Sequence, residues 1–556
     1  MQELADLIRR IAIRRRIRRA RKCRPEDFVS AYYDSKNWLS KYSSEHSFNV
    51  VCALFLAVWT QYVLFGLAVP EVVEKNLWSD LFTALETTLA LTLFGLWFTH
   101  ARFLKWLGII WAGGLAIMSP IRYGLGEPMI TPRNFDVLLG STVEEAVSFI
   151  SSIPPTWYAI PLLLLGISFF LIGKCTPLSD PEYAFRHKLT FPFLILLIPL
   201  IFASSALSYM THSFQYKVST SESTAPAWTT TGTLPDRKIV DNYVLIVGES
   251  LRADAMSLFG NRYATNLYLD QVPSRSIRLI SPSYSTMESV PRLLSLSAGN
   301  DDEVTKEGVK ATVEPFNNVL TLAKDAGFRT YWFSAQSQTR SLDLPISQIA
   351  KSADESSFDI NHDDFALVAL LEGVLERQDE GRKLFVLHTY GSHEDVCDRV
   401  ADFGKPFQTG KGELMDCYLA STLKTDRLIK QVAHAFKSRG ESYSIIYVSD
   451  HAVDMKSERG EVITVRNAKS QKQYEVPFVE LGDTVTSGLM GIDQQSAMKF
   501  PSYFPTWIGI TTNRTEVGWD FIMAPPADLY VVNPDGNFTS FDKLQAGTEM
   551  NVLLAR

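Results

Sequence analysis

Five apolar stretches fill most of the first 210 residues of this 556-residue chain: Phe48 to Val69, Leu81 to Phe98, Phe103 to Ile121, Trp157 to Gly173 and Phe191 to Met210. Each is near the length of about 20 residues that a helix needs to cross a hydrocarbon core. Residues 47–210 are therefore expected to form five transmembrane helices. The first stretch is not read as a cleavable leader, because 46 mostly polar residues precede it and its apolar run exceeds the hydrophobic segment of a signal peptide.

Charge sets the orientation. Residues 1–46 hold 12 Lys or Arg against 6 Asp or Glu, a net +6, so the rest of the chain carries −13 to reach the overall −7. Arg14, Arg15, Arg16, Arg18 and Arg19 form the densest basic block. Its place just before an apolar span favours a cytoplasmic arm lying on anionic lipid over nucleic-acid binding. With the arm inside, Arg102, Lys105, Lys174, Arg186 and Lys188 fall in cytoplasmic loops, as the positive-inside rule requires. An odd number of spans then exports everything after Met210. Cys397 and Cys417 are the only cysteine pair in that exported part. In an oxidising compartment they can join as a disulfide, the alternative being two buried thiols. Within the membrane part, Glu86 is costly in lipid and so a functional candidate. The run DVLLGSTVEEAVSFI, residues 136–150, has the spacing of an amphipathic helix, which either lies on the membrane or packs on the exported domain.

A Ser-, Thr- and Pro-containing linker, residues 211–241, leads to residues 242–556. From Asn242 onward, apolar strands alternate with helical patterns. The strands are YVLIVGE, FRTYWFS, KLFVLHTYGSH, YSIIYVSDH and YEVPFVEL, and the helices lie near 319–326, 364–377 and 423–438. This is the pattern of a mainly parallel sheet flanked by helices, and about 315 residues are enough for one large α/β domain.

In such sheets ligands bind beyond the C-terminal strand ends. There the sequence places Glu249 after YVLIVG, His388 and His393 on and after KLFVLH, and the adjacent pair Asp450-His451 after YSIIYVS. If the strands are neighbours, Glu249, Asp450 and His451 converge with hard oxygen and imidazole donors that suit zinc. His388, inside its strand, reads as a packed histidine. The segment SPSYSTMESVP, residues 281–291, supplies hydroxyls between a strand and a helix start, where backbone N–H groups favour phosphate.

The motifs VGES, STMESVP, HTYGSH and SDH, in that order behind five membrane spans, resemble the phosphoethanolamine transferases of the Gram-negative inner membrane, in the alkaline phosphatase superfamily. The resemblance covers nearly the whole chain. It implies an N-terminal membrane domain and a periplasmic alkaline-phosphatase-like domain. It also implies an enzyme that takes phosphoethanolamine from phosphatidylethanolamine onto a Thr and passes it to an envelope lipid or glycan, with no role for nucleic acid. By this resemblance Thr286 is the nucleophile, because the family's Thr stands four residues before the Val of SVP. Glu249, Asp450, His451 and Thr286 become the ligands of one zinc. His393 matches a second histidine near the transferred group, Ser337 and Arg340 align with phosphate-holding residues, and Glu145 and Ser141 with residues facing the ethanolamine headgroup.

The chain also departs from the family pattern. Ala452 and Val453 follow Asp-His where Gly and Glu are frequent, no histidine follows His451, and Pro282 and Arg292 stand where cysteines flank the nucleophile. A fully ligated second zinc is therefore not expected, and the acceptor stays open between lipid A, core sugar and other glycans. The competing readings are a glycerol-phosphate transferase or phosphodiesterase of the same superfamily and a non-catalytic glycan-binding scaffold. A sulfatase is disfavoured because SVPRL does not supply a Cys/Ser-x-Pro-x-Arg pattern in register.

Overall fold

The computed structural model describes residues 47–60, 104–125, 155–175, 226–297, 313–336, 345–358, 363–377, 379–465, 469–491, 494–525, 527–533 and 536–555. The expected basic arm, the spans at 81–98 and 191–210, the end of the first span and the amphipathic run at 136–150 lie outside these residues. The chain divides into two compact units, one holding the helices before residue 176 and the other everything described from Pro226 onward.

The first unit contains α1 (Ser47–Thr60), α2 (Leu104–Leu125) and α3 (Thr156–Lys174), at the positions of the first, third and fourth expected spans. Cys52, Leu56, Ala112, Leu115, Leu171 and Ile172 pack into one apolar cluster between them. Two indole N–H groups are satisfied across the helices, Trp59 by Ser119 Oγ at 3.3 Å and Trp111 by Thr60 Oγ1 at 2.9 Å. Among the described residues α3 is the one helix long and apolar enough to cross a bilayer. Its Ile160, Leu162, Leu163, Phe169 and Phe170 point outward, the surface a lipid-facing helix presents.

The second unit is built around a nine-stranded sheet. Its elements, in chain order, begin with β1 (Thr230–Thr233), β2 (Asn242–Gly248), β3 (Ser274–Ile280), α4 (Thr286–Leu294), α5 (Val319–Asp325), β4 (Arg329–Ser334) and β5 (Glu355–Ser357). They continue with α6 (Ala366–Leu375), β6 (Lys383–His388), α7 (Glu413–Lys437), β7 (Tyr443–Ser449), β8 (Glu475–Gly482), β9 (Leu489–Met490) and β10 (Gln495–Ser496). Further along come α8 (Phe500–Ile508), β11 (Ile510–Thr512), β12 (Tyr530–Val532) and β13 (Phe538–Ser540). The sheet order is β9-β3-β8-β7-β2-β6-β4-β5, with β10 also on β3.

β2, β4, β5, β6 and β7 pair in parallel, and each of β2, β6 and β7 is buried along its whole length. That burial on both faces is why their sequences read as continuous apolar runs. The expected mainly parallel sheet is mixed at one strand, since β8 runs antiparallel to both β7 and β3. Between β7 and β8 the chain makes a two-stranded hairpin, Asp454–Glu458 with Glu461–Val465, and among the described residues no crossover helix. Without a crossover the next strand returns in the opposite direction. Val244, Ile246, Phe385 and Tyr447 face one apolar core with α6 and α7, whereas Tyr243, Leu245, Trp332 and Val386 face a second with α4, α5 and α8.

Local sequence fixes the helix ends. Asn318 caps α5 by accepting from the Leu320 and Thr321 N–H groups while Thr321 Oγ1 accepts from Asn318 N–H, a capping box. α7 begins ten residues before the expected 423–438. Its first turns bury Met415, Tyr418 and Leu419, and Glu413 and Asp416 there complement the helix dipole. Within the expected linker, β1 pairs antiparallel with β11 and Trp228 is buried.

Cys397 and Cys417 are disulfide-bonded, with Cα atoms 5.0 Å apart, closing a loop of 20 residues onto the first turn of α7. Loop-closure entropy of this size contributes about 3 kcal/mol. The double variant C397S/C417S is expected to lose about that much stability in equilibrium unfolding of the whole protein, and an unchanged unfolding curve would show the bond to be dispensable.

Candidate active site

β2 and β7 are adjacent and parallel with Gly248 opposite Ser449. The residues that leave their C-terminal ends, Glu249 and Asp450, therefore emerge side by side, and Asp450 N–H donates to Gly248 O at 3.0 Å. Position 248 requires glycine, since a Cβ there would stand 2.3 Å from Tyr447 Oη. After Glu249 the backbone turns sharply at Ser250, a non-glycine residue with φ of 57°, a conformation that costs of order 1 kcal/mol and is held by its surroundings. Ser250 N–H donates to Asp450 Oδ1 at 3.1 Å, its hydroxyl to Glu249 Oε1 at 2.6 Å, and its carbonyl accepts from Tyr418 Oη at 2.8 Å.

Four of the residues expected at the site meet here. His451 Nε2 lies 3.3 Å from Glu249 Oε1 and 3.5 Å from Asp450 Oδ2. Thr286, the first residue of α4, donates its hydroxyl to Glu249 Oε2 at 2.9 Å, and its oxygen is 3.3 Å from His451 Nε2. One donor atom from each of Glu249, Asp450 and His451 falls within 4.8 Å of the other two. All three residues are buried, while Thr286 is half-buried at the mouth of the cluster. His451 Nδ1 faces the Ala452 carbonyl at 3.0 Å. A proton on Nδ1 leaves the Nε2 lone pair directed into the cluster, the arrangement of a metal-ligating imidazole.

The electrostatics of the cluster are compatible with a bound cation. Burial pushes the Glu249 carboxyl up, but His451 and His393 outweigh it and hold the group at about 2. Asp450 moves the other way, raised to about 8 by burial and by the Glu249 charge. Burial lowers His451, and the two carboxylates more than reverse this. Asp450 Oδ2 is buried without a hydrogen-bond partner among the described residues. Two buried carboxylates share one imidazole, so a divalent ion fits both the donor set and the missing charge.

The neighbouring strand ends hold this cluster in place. Gln336, just past β4, donates Nε2 to Glu249 Oε2 and to Thr389 O, both at 2.9 Å. After β6, Asp364 accepts the Tyr390 and Gly391 N–H groups at 2.6 and 3.0 Å, and Ser392 N–H donates to Glu249 O at 3.0 Å. His393 follows that turn, its Nδ1 buried and without a hydrogen-bond partner among the described residues. His388 is packed as expected, against Trp332 with Nδ1 3.1 Å from Ser334 Oγ, and burial lowers its pKa to about 4.

Ser283 is fully buried and bonded to Ser289, apart from the cluster. Ser337, Arg340, Ser141 and Glu145 lie outside the described residues. Sequence reasoning missed Gln336, Asp364 and Ser250. Ser250 was visible only as the last letter of VGES, and Asp364 stands 26 residues from the turn it holds.

Gly391 has φ of 47°, and a Cβ there would lie 2.9 Å from Glu249 O. Gly391→Ala is expected to cost at least about 1 kcal/mol and to shift the Glu249 backbone. Thermal unfolding and a crystal structure of the variant check this, and a stable variant with Glu249 unmoved would contradict it.

A sulfatase family model matches residues 241–508. The phosphoethanolamine transferase OpgE of Escherichia coli K12 is 27% identical over 499 residues, covering 82% of this chain and 89% of that relative. The Kdo(2)-lipid A phosphoethanolamine 7''-transferase of Salmonella typhimurium is 24% identical over 255 residues, 43% of this chain and 44% of the relative. Among solved structures, the integral membrane lipooligosaccharide phosphoethanolamine transferase A of Neisseria meningitidis shares the fold with a TM-score of 0.50 at 17% identity, covering 84% of this chain and 96% of that one. This chain thus carries a sulfatase-family domain and, over most of its length, is similar to a phosphoethanolamine transferase.

Proposed function

We propose that this protein moves phosphoethanolamine from phosphatidylethanolamine to a hydroxyl of an envelope lipid or glycan, through a covalent intermediate on Thr286. The observation that carries the reading is the Thr286 hydroxyl, placed at the start of α4 and within 3.3 Å of both Glu249 and His451. Residues 47–210 would anchor the enzyme in the inner membrane, with 1–46 cytoplasmic, 211–241 a linker and the catalytic domain periplasmic. The Cys397–Cys417 bond suits that oxidising compartment.

Glu249, Asp450, His451 and the Thr286 oxygen would hold one zinc, which when bound supplies a Lewis acid that eases ionisation of a hydroxyl and offsets phosphoryl charge. The Thr286 hydroxyl loses its proton to solvent and its oxygen attacks the donor phosphorus, and a new P–O bond forms as the bond to the diacylglycerol oxygen breaks. His393 gives the leaving oxygen its proton. The acceptor hydroxyl then attacks the same phosphorus, returns a proton to His393 and frees the Thr286 oxygen, which regains a proton from solvent. The N–H groups that open α4 face the phosphoryl oxygens, and Ser337 and Arg340 would bind them too. Glu145 and Ser141 would face the ethanolamine group. The names of the relatives support phosphoethanolamine over glycerol phosphate as the transferred group.

Incubating detergent-solubilised enzyme with phosphatidylethanolamine is expected to leave a phosphoethanolamine adduct on Thr286 in the tryptic peptide 279–292, read by mass spectrometry. Thr286→Ala and Glu249→Ala should give no adduct and lower transfer by at least about a thousandfold. A zinc-loaded, folded wild-type protein without adduct would overturn the donor or the nucleophile, and phosphatidylglycerol would be tested next.

Metal loading has a predicted pH dependence. In the metal-free protein Asp450 keeps its proton until about pH 8, above its ordinary value of 3.8. The native state therefore binds more protons than the unfolded one, and metal-free stability falls as pH rises toward 8. Zinc must displace that proton, so its affinity should rise by up to about tenfold per pH unit between 6 and 8. Calorimetric titration at several pH values checks the slope, and a flat profile would remove Asp450 from the ligand set.

A further inference from the structure

Ser285, the residue before α4, adopts an extended conformation and makes no side-chain cap to the helix. Two residues earlier, Ser283 ties the approach to the helix. Ser283 N–H donates to Ser289 Oγ at 3.0 Å, and the Ser289 hydroxyl donates back to Ser283 O at 2.8 Å, closing a ring between the approach and the helix. Ser281 Oγ donates to the same carbonyl at 2.8 Å.

From the other side the approach is gripped by β12. Val532 N–H donates to Pro282 O at 2.8 Å, Ser283 Oγ donates to Val532 O at 3.3 Å, and Ser283 and Val532 form an isolated parallel bridge. Ser281, Ser283 and Val532 have no exposed surface. β12 is itself seated, paired in register with β13, while Val531 packs on Ile280, Tyr474 and Phe541. β12 and β13 both lie after residue 508, where the sulfatase match ends.

We propose that β12 is a positioning element for the Thr286 hydroxyl: the Val532 backbone fixes Pro282 and Ser283, and thereby the point at which α4 begins and the reach of Thr286 toward Glu249 and His451. The inference rests on the role given to Thr286 above. A displacement of about 1 Å at a reacting atom is enough to cost up to a hundredfold in rate, so a backbone contact three and four residues from Thr286 is able to control turnover without touching substrate.

The test uses the full-length protein and three variants. Val532→Pro removes the N–H that holds Pro282, Val532→Ala keeps it, and Ser283→Ala removes the hydroxyl contact. Three quantities are read: amide exchange in the peptide spanning 279–292, zinc content, and kcat and KM for phosphatidylethanolamine. For Val532→Pro, exchange at 281–286 is expected to quicken while the central strands stay protected, with zinc content normal, kcat about tenfold or more lower and KM unchanged. Ser283→Ala should move the same quantities by about threefold, and Val532→Ala should match wild type.

Normal kcat in a variant whose exchange has quickened overturns the proposal, as does unchanged exchange in folded Val532→Pro. A general loss of protection and zinc would mark a merely structural role and also overturns it. If Val532→Pro does not fold, Ser283→Ala decides by the same criteria. Failure of the wild type to form any Thr286 adduct would instead overturn the function proposed above and the catalytic part of this inference with it, while the exchange data would still decide whether β12 orders the approach to α4.

Discussion

β2 and β7 pair in parallel with Gly248 opposite Ser449, and their C-terminal extensions are consequently held about one strand spacing, ~4.8 Å, apart. Glu249 and Asp450 occupy those two places, so the fold itself forces two carboxylates together in a buried pocket. Slipping either strand by one residue would turn Glu249 or Asp450 to the other face of the sheet. The two apolar cores, one on each face, resist that slip because every inward residue of β2 and β7 would change sides. The site therefore inherits its precision from packing that has no chemical role.

The same sheet carries a useful contrast. Glu480 on β8 is also fully buried, but Arg237 at 2.7 Å, Arg275 at 2.9 Å and Tyr503 Oη at 2.5 Å satisfy it. Two guanidinium groups and a phenol fully compensate one carboxylate, and a structural role accounts for all of it. Glu249 and Asp450 lie at the opposite ends of the strands with a single ion-pair partner among the described residues, His451. Taking a carboxylate out of water costs several kcal/mol unless it is paired. Five donors reduce that cost without cancelling the charge: the hydroxyls of Ser250 and Thr286, the N–H groups of Ser250 and His451, and the Gln336 amide. Once Asp450 loses its proton, two carboxylates stand against one imidazole, and that call for further positive charge distinguishes the cluster from the closed network around Glu480.

How much of this was legible in the sequence follows from the range of the interactions. The strands bearing Glu249, His388 and Asp450-His451 could be read because full burial writes itself as an unbroken apolar run. Their convergence followed from the rule that ligands gather at C-terminal strand ends. The direction of β8 was not legible, since EVPFVEL is equally apolar whichever way it runs and only the absence of a crossover helix decides. Asp364 and Gln336 were missed for a related reason. Each acts on partners far along the chain, through the hydrogen bonds of one side chain, which leave no periodicity. The start of α7 was obscured because Glu413 to Thr422 mixes buried and polar residues, while the disulfide at Cys417 and the dipole-matched acids do the ordering that apolar spacing elsewhere does.

The segments beyond residue 508 complete what the sheet leaves open. β11 closes on β1, drawing the chain that precedes β2 onto the second unit, and Arg514 adds a bidentate pair with the buried Glu314 at 2.6 and 3.2 Å. β12 then reaches the loop before α4. Glu249, Asp450 and His451 are fixed by β2 and β7 themselves, whereas Thr286 stands on a helix joined to the sheet by a five-residue approach. A helix start can drift by an ångström without breaking any strand pairing. The residue that must meet the cluster is thus the one whose placement the sheet does not guarantee. A late, short strand that binds the approach through main-chain hydrogen bonds supplies the constraint without requiring any particular side chain at the contact. A sequence pattern is accordingly a poor guide to this element.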